Sequence, residues 1–66
     1  MPTIVVEGPP ITDLDVKRNF VKSLTDAAEE AFGIPRQAYV VLLKENRPEN
    51  VGVGGELLVD RYKSSA

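Results

Sequence analysis

Neither cysteine nor histidine occurs among the 66 residues of the chain. Without cysteine there is no disulfide framework and no thiolate nucleophile. Without histidine there is no Ser-His-Asp arrangement, and the usual zinc and iron ligands are missing too. Excess positive charge is also lacking. The net charge is −2 and the pI about 4.9, which argues against nucleic acid, because phosphate binding needs a basic face. No run approaches the roughly 20 apolar residues that span a bilayer, and Met1 is followed by no secretory pattern of basic and then apolar residues. These absences lead to the expectation of a cytoplasmic protein with no metal, no cofactor and no nucleic-acid or membrane partner.

The chain is expected to form a single domain over residues 1–66. A domain this small buries only about 60% of the surface that its unfolded chain exposes. Small scaffolds lean on disulfides, metals or self-association, and here only self-association remains.

Thr3 to Glu7 reads as a strand with Ile4, Val5 and Val6 apolar in succession, a run that suggests burial on both faces. Gly8-Pro9-Pro10 ends it, since proline cannot donate to a ladder. A helix is expected from about Asp13 to Phe32, with Thr12 as its cap and Asp15 completing a weak capping box. Val16, Phe20, Leu24, Ala27, Ala28 and Ala31 recur at spacings of three and four, with Val21 and Phe32 widening the stripe. Gly33 is the expected C-cap, and Pro35 prevents resumption. Ala38 to Glu45 reads as a second strand, again with consecutive apolar residues. Strand, long helix and strand make a βαβ unit with parallel strands and a right-handed crossover. One helix covers one face of a two-stranded sheet, so the second face is expected to be covered by other copies of the chain rather than by residues 50–66. After a polar turn over residues 45–50, the glycines and valines of residues 51–55 and the Glu56 to Val59 run suggest a β-hairpin. The fold class is therefore α+β. The tail from Asp60 to Ala66 is expected to be peripheral.

Gly52-Val53-Gly54-Gly55 lies after the second strand and lacks the lysine of a phosphate-binding loop, so a structural hairpin is expected. Asp13 with Asp15 suits a helix start, and Glu29 with Glu30 a solvated face. Pro2 is different. If Met1 is removed, its nitrogen becomes a secondary amine at the start of an apolar strand. A free α-amine has a reference pKa near 8. An apolar setting destabilises the charged form and lowers that value, giving a base poised for proton transfer at neutral pH. If Met1 stays, the same nitrogen is an amide with no basicity.

Pro2 opening a strand, Glu7-Gly8 ending it, a Thr12-led helix, Pro35 before the second strand, Glu45 and the Gly52-Val53-Gly54-Gly55-Glu56 hairpin occur in one order and spacing. In this the chain resembles the 4-oxalocrotonate tautomerase family, its short divergent branch in particular. The resemblance implies dimers assembled as a trimer of dimers, removal of Met1, and Pro2 as the general acid-base. It implies interconversion of the keto and enol forms of a small anionic 2-oxo acid. The family's arginine after the Glu-Gly is replaced here by Pro9 and Pro10. Its second arginine aligns with Val40, and an aromatic residue that helps lower the base's pKa aligns with Val51. A replacement cation is sought in Lys44, on the strand face of Val40 by the period of two, or in Arg36 and Arg47, which bracket that strand. Two alternatives accompany this reading. One is a non-catalytic oligomeric scaffold with the same fold. The other is a related hydration or dehalogenation using Glu7 or Glu45 to activate water.

Overall fold

A computed structural model describes residues 1–64 of the chain, with side chains described up to residue 62. The elements in order are β1 (Thr3–Gly8), α1 (Leu14–Phe32), a 3-10 turn (Arg36–Ala38), β2 (Val40–Glu45), a second 3-10 turn (Pro48–Asn50), β3 (Gly52–Val53), β4 (Glu56–Leu57) and α2 (Leu58–Ser64). β1 and β2 pair in parallel from Thr3 opposite Val40 to Gly8 opposite Glu45. β3 and β4 form a short antiparallel hairpin turning on Gly54 and Gly55, both at positive φ (62° and 83°). This is the expected α+β plan.

The boundaries shift where local chemistry outbids the sequence pattern. The helix cap is Asp13, not Thr12. The Asp13 carboxylate accepts from the Asp15 N–H at 2.8 Å and the Val16 N–H at 3.4 Å. An aspartate caps at least as well as a threonine and adds a negative charge at the positive end of the helix dipole. At the other end Gly33 takes φ 69° and its N–H donates to the Glu29 carbonyl at 2.9 Å, a left-handed stop suited to glycine. Ala38 belongs to the first 3-10 turn rather than to β2, because its N–H donates back to the Pro35 carbonyl at 3.0 Å. Residues 58–64 form α2, so Leu58 and Val59 leave the expected hairpin run and the expected tail is helical as far as Ser64, with Asp60, Arg61 and Tyr62 exposed; Ser65 and Ala66 lie outside the described residues.

α1 lies on one face of the sheet. Its half-buried or buried positions are Lys17, Phe20, Val21, Leu24, Thr25, Ala28 and Glu29, while Val16, Ala27, Ala31 and Phe32 of the expected stripe are exposed. The covered stripe is therefore rotated from the expected one. Lys17 can join it because its stem packs while its ammonium reaches Glu45 at 3.0 Å. Along β1, exposure alternates strictly. Ile4, Val6, Val41 and Leu43 are half-buried, whereas Val5 and Leu42, paired across the ladder on the other face, are 51% and 46% exposed. Within the protomer each strand is thus covered on one side. Residues 50–64 leave the second face open; α2 packs against the 48–50 turn and β4 instead.

The protomer has almost no interior. Ala28, at 9% exposed, is the most buried of the described residues. The radius of gyration is 15.7 Å and the extents are 47 × 25 × 14 Å, against about 11 Å for a compact chain of this length.

Candidate functional site

Pro2 precedes β1 and is half-buried, whereas Met1 before it is 89% exposed. The Pro2 carbonyl accepts from the Val40 N–H at 3.0 Å. This bond extends the parallel ladder by one step and places Pro2 beside the 3-10 turn that leads into β2. Proline offers no backbone N–H, so its carbonyl is the one backbone group by which the ladder holds it.

Of the other residues singled out, Val40 adjoins Pro2 and presents an apolar side chain on the outer sheet face with Val5, Leu42 and Lys44. Arg36 begins the 3-10 turn near the same end. Its guanidinium meets the Asp26 carboxylate at 2.7 Å and the Glu29 carboxylate at 3.1 Å, and donates to the Lys22 carbonyl at 3.4 Å. The hydrogen bond to Asp26 chiefly raises its pKa above the ordinary value. Lys44 sits at the opposite end of β2, opposite Glu7, four residues or about 13 Å along the strand from Val40. Its ammonium has no ion pair among the described residues. Arg47 lies beyond it, exposed and 3.9 Å from Glu49. Val51 is also at that end, half-buried in a cleft of about 340 Å³ with Glu7, Asn46, Leu58 and Tyr62. One protomer therefore gathers Pro2, Val40 and Arg36 at one end of the sheet, and Lys44, Arg47 and Val51 at the other.

Glu45 ends β2 on the helix side. Its carboxylate accepts from the Ile11 N–H at 2.7 Å and from Lys17 Nζ at 3.0 Å. These contacts, the backbone N–H foremost, hold its pKa below the ordinary carboxylate value. It ties the Pro9-Pro10 loop to the sheet and is occupied far from Pro2. Glu7 lies at the same far end. No group of three or more potential metal ligands occurs among the described residues, and no helix there is long and apolar enough to cross a membrane.

Sequence reasoning missed two braces around the Pro2 end. One joins Arg36 to Asp26 and Glu29. The other is the Tyr39 hydroxyl, which donates to the Ile34 carbonyl at 2.9 Å and accepts from the Ile34 N–H at 3.3 Å. The spacing of Asp26 and Glu29 puts two carboxylates on one helix face, but nothing in the sequence pairs that face with Arg36, and Lys22 contributes only its backbone carbonyl. Nothing in the sequence marked the second.

A family model described as tautomerase enzyme matches residues 2–61, so that it begins at Pro2. The chain belongs to the tautomerase family. Solved structures agree with that membership. DmpI from Archaeoglobus fulgidus is 46% identical, with 89% of this chain and all of that one covered and a TM-score of 0.78. TomN, a 4-oxalocrotonate tautomerase homologue in the tomaymycin biosynthetic pathway, is 31% identical over 98% of this chain and all of its own, with a TM-score of 0.86. YwhB, another such homologue, is 30% identical over 89% and 97%, with a TM-score of 0.80. No curated protein matches.

Proposed function

We propose that this tautomerase interconverts the keto and enol forms of a small anionic 2-oxo acid, with the Pro2 amine as general acid-base after removal of Met1. The amine takes a proton from the enol hydroxyl or the adjacent carbon and returns it to the other atom, so no redox partner or cofactor enters the balance. The observation that carries this reading is the setting of Pro2. It is half-buried at the head of β1 and anchored by one carbonyl bond, and the family match begins at that residue. Met1 is 89% exposed, so its loss removes little packing and leaves the ladder intact.

The proposal includes self-association, as a dimer or a trimer of dimers. The open sheet face and the near absence of an interior support it. It also supplies a cation. Lys44 stands too far from Pro2 in its own protomer, but a second copy packed with its strands reversed brings it to the Pro2 end. There it holds the substrate carboxylate and stabilises the enolate, with Arg47 as the next nearest source.

The test combines intact mass with ketonisation of phenylenolpyruvate or 2-hydroxymuconate. Material lacking Met1 should be active, and Pro2→Ala should lose about 10²- to 10⁴-fold in rate, the usual worth of a general acid-base group. A native mass retaining Met1, or equal rates for Pro2→Ala and the unaltered protein, would count decisively against it. The apolar Val40 and Val51 favour a second reading, a non-catalytic oligomeric scaffold, and ketonisation no faster than the uncatalysed background in Met1-free material would support that reading.

A further inference from the structure

We propose that Arg36 is a positioning residue for the Pro2 site. By clamping the 36–38 turn to α1, it fixes the Val40 N–H and through it the Pro2 carbonyl. The inference rests on Pro2 being the reacting group.

The clamp has three points on one helix face. Asp26, Glu29 and the Lys22 carbonyl receive the guanidinium at 2.7, 3.1 and 3.4 Å. These positions are spaced by four and three residues, so they stack along α1. The planar fork of arginine can serve two carboxylates at once, which a lysine ammonium does with less geometric control. With both carboxylates in place, the cation is neutralised by its own helix and is a poor receptor for a substrate carboxylate.

The chain between clamp and site is short and stiff. Pro35, just before Arg36, has φ −56°. The Ala38 N–H returns to Pro35 and the Tyr39 N–H to Arg36, at 3.0 and 3.3 Å. Tyr39 is braced to Ile34 by its hydroxyl. Val40 follows, and its N–H is the donor that holds Pro2. A shift of the turn on the helix is therefore carried to Pro2, which has no second backbone anchor to resist it. A reacting group misplaced by about 1 Å loses on the order of 10²-fold in rate.

The test uses the full-length protein with Met1 removed and phenylenolpyruvate as substrate. Arg36→Gln, Arg36→Lys and the double variant Asp26→Asn/Glu29→Gln are compared for kcat, KM and hydrogen exchange at the Val40 amide. Arg36→Gln should lower kcat about 10- to 100-fold, the range set by a sub-ångström to 1 Å displacement, with KM within about twofold because no substrate contact is lost. Val40 exchange should quicken in step. The double variant should show the same pattern although it keeps the cation, and Arg36→Lys should recover part of the rate. A raised KM at unchanged kcat in Arg36→Gln, with full activity in the double variant, would make Arg36 a substrate ligand and overturn the proposal. Faster Val40 exchange with unchanged kcat would reduce the clamp to a structural tie and overturn it equally. Pro2→Ala run alongside separates the two failures. Wild-type rate in Pro2→Ala sinks the Pro2 reading itself, whereas a normal loss there with intact kcat in the Arg36 variants sinks only the clamp.

Discussion

Leu42→Asp should disrupt the self-association proposed above. Leu42 and Val5 face each other across the ladder on the open side of the sheet, 46% and 51% exposed in the protomer. Fully burying such a side chain stabilises by about 1.5–3 kcal/mol, so covering the exposed half contributes about 1 kcal/mol each, or about 2 kcal/mol per protomer for the pair. An aspartate at 42 forfeits the leucine's share. It also leaves an unpaired carboxylate on a covered surface, at a cost of several kcal/mol more. The total exceeds about 3 kcal/mol per protomer, which at 1.4 kcal/mol per decade weakens association more than 100-fold. Sedimentation velocity at micromolar concentration, together with thermal melting, reads the outcome. The variant should fall to a lower mass and lose its cooperative melt at the same time, because the separated protomer has almost no interior to hold it. Leu42→Met, a volume-conserving change costing under about 1.5 kcal/mol, should keep the mass of the unaltered protein. If Leu42→Asp sediments and melts as the parent does, that face stays in water and the reasoning from burial is wrong.

Two further expectations concern the local chemistry of the fold. Glu45 has its pKa depressed in the folded state by the Ile11 N–H and Lys17. Its contribution is therefore fully present above the unfolded value of about 4.3 and fades as pH falls through the lower folded value. The gap in urea midpoint between the parent and Glu45→Gln should be clear at pH 7 and shrink below about pH 4.3; a gap independent of pH would refute the assignment. Asp13→Ala should cost about 1 kcal/mol as a lost helix cap, and Thr12→Ala should stay within about 0.5 kcal/mol. Urea unfolding of the two distinguishes them, and the reverse order would return the cap to Thr12.

The fold was legible wherever one residue type enforces one geometry. Gly33 with Pro35 marked the end of α1, Pro9 and Pro10 the end of β1, and Gly54 with Gly55 the hairpin. Precision failed where two residues competed for one role. Thr12 and Asp13 both suit a cap, and the choice falls to the group whose oxygen reaches two free N–H groups. The covered face of α1 was misjudged because alanines and a valine on the flank read as core, although a two-stranded sheet is too narrow to reach them. α2 is seven residues long and follows directly on β4 without a helix-start signal; its Arg61 reaches back to Glu56 at 3.3 Å, a contact that becomes visible only after folding. For the candidate site, the place of Pro2 at the head of a strand could be read directly. The division of the remaining residues between two ends of the sheet follows from the parallel register, in which Lys44 stands opposite Glu7 and far from Pro2. Arg36 could be located but not understood, because its partners lie seven and ten residues back and meet it only once the chain has reversed.

The exposed first residue bears on how the protein is handled. Met1 projects outward while the next carbonyl is already fastened to β2. An affinity tag fused ahead of it would be tolerated by the fold of the protomer. It would also keep the following nitrogen acylated, and under the Pro2 mechanism proposed above such a preparation would look sound while being chemically silent. On that proposal purification handles belong at the other end of the chain, and a negative screen with front-tagged material carries no information about a Pro2-dependent activity.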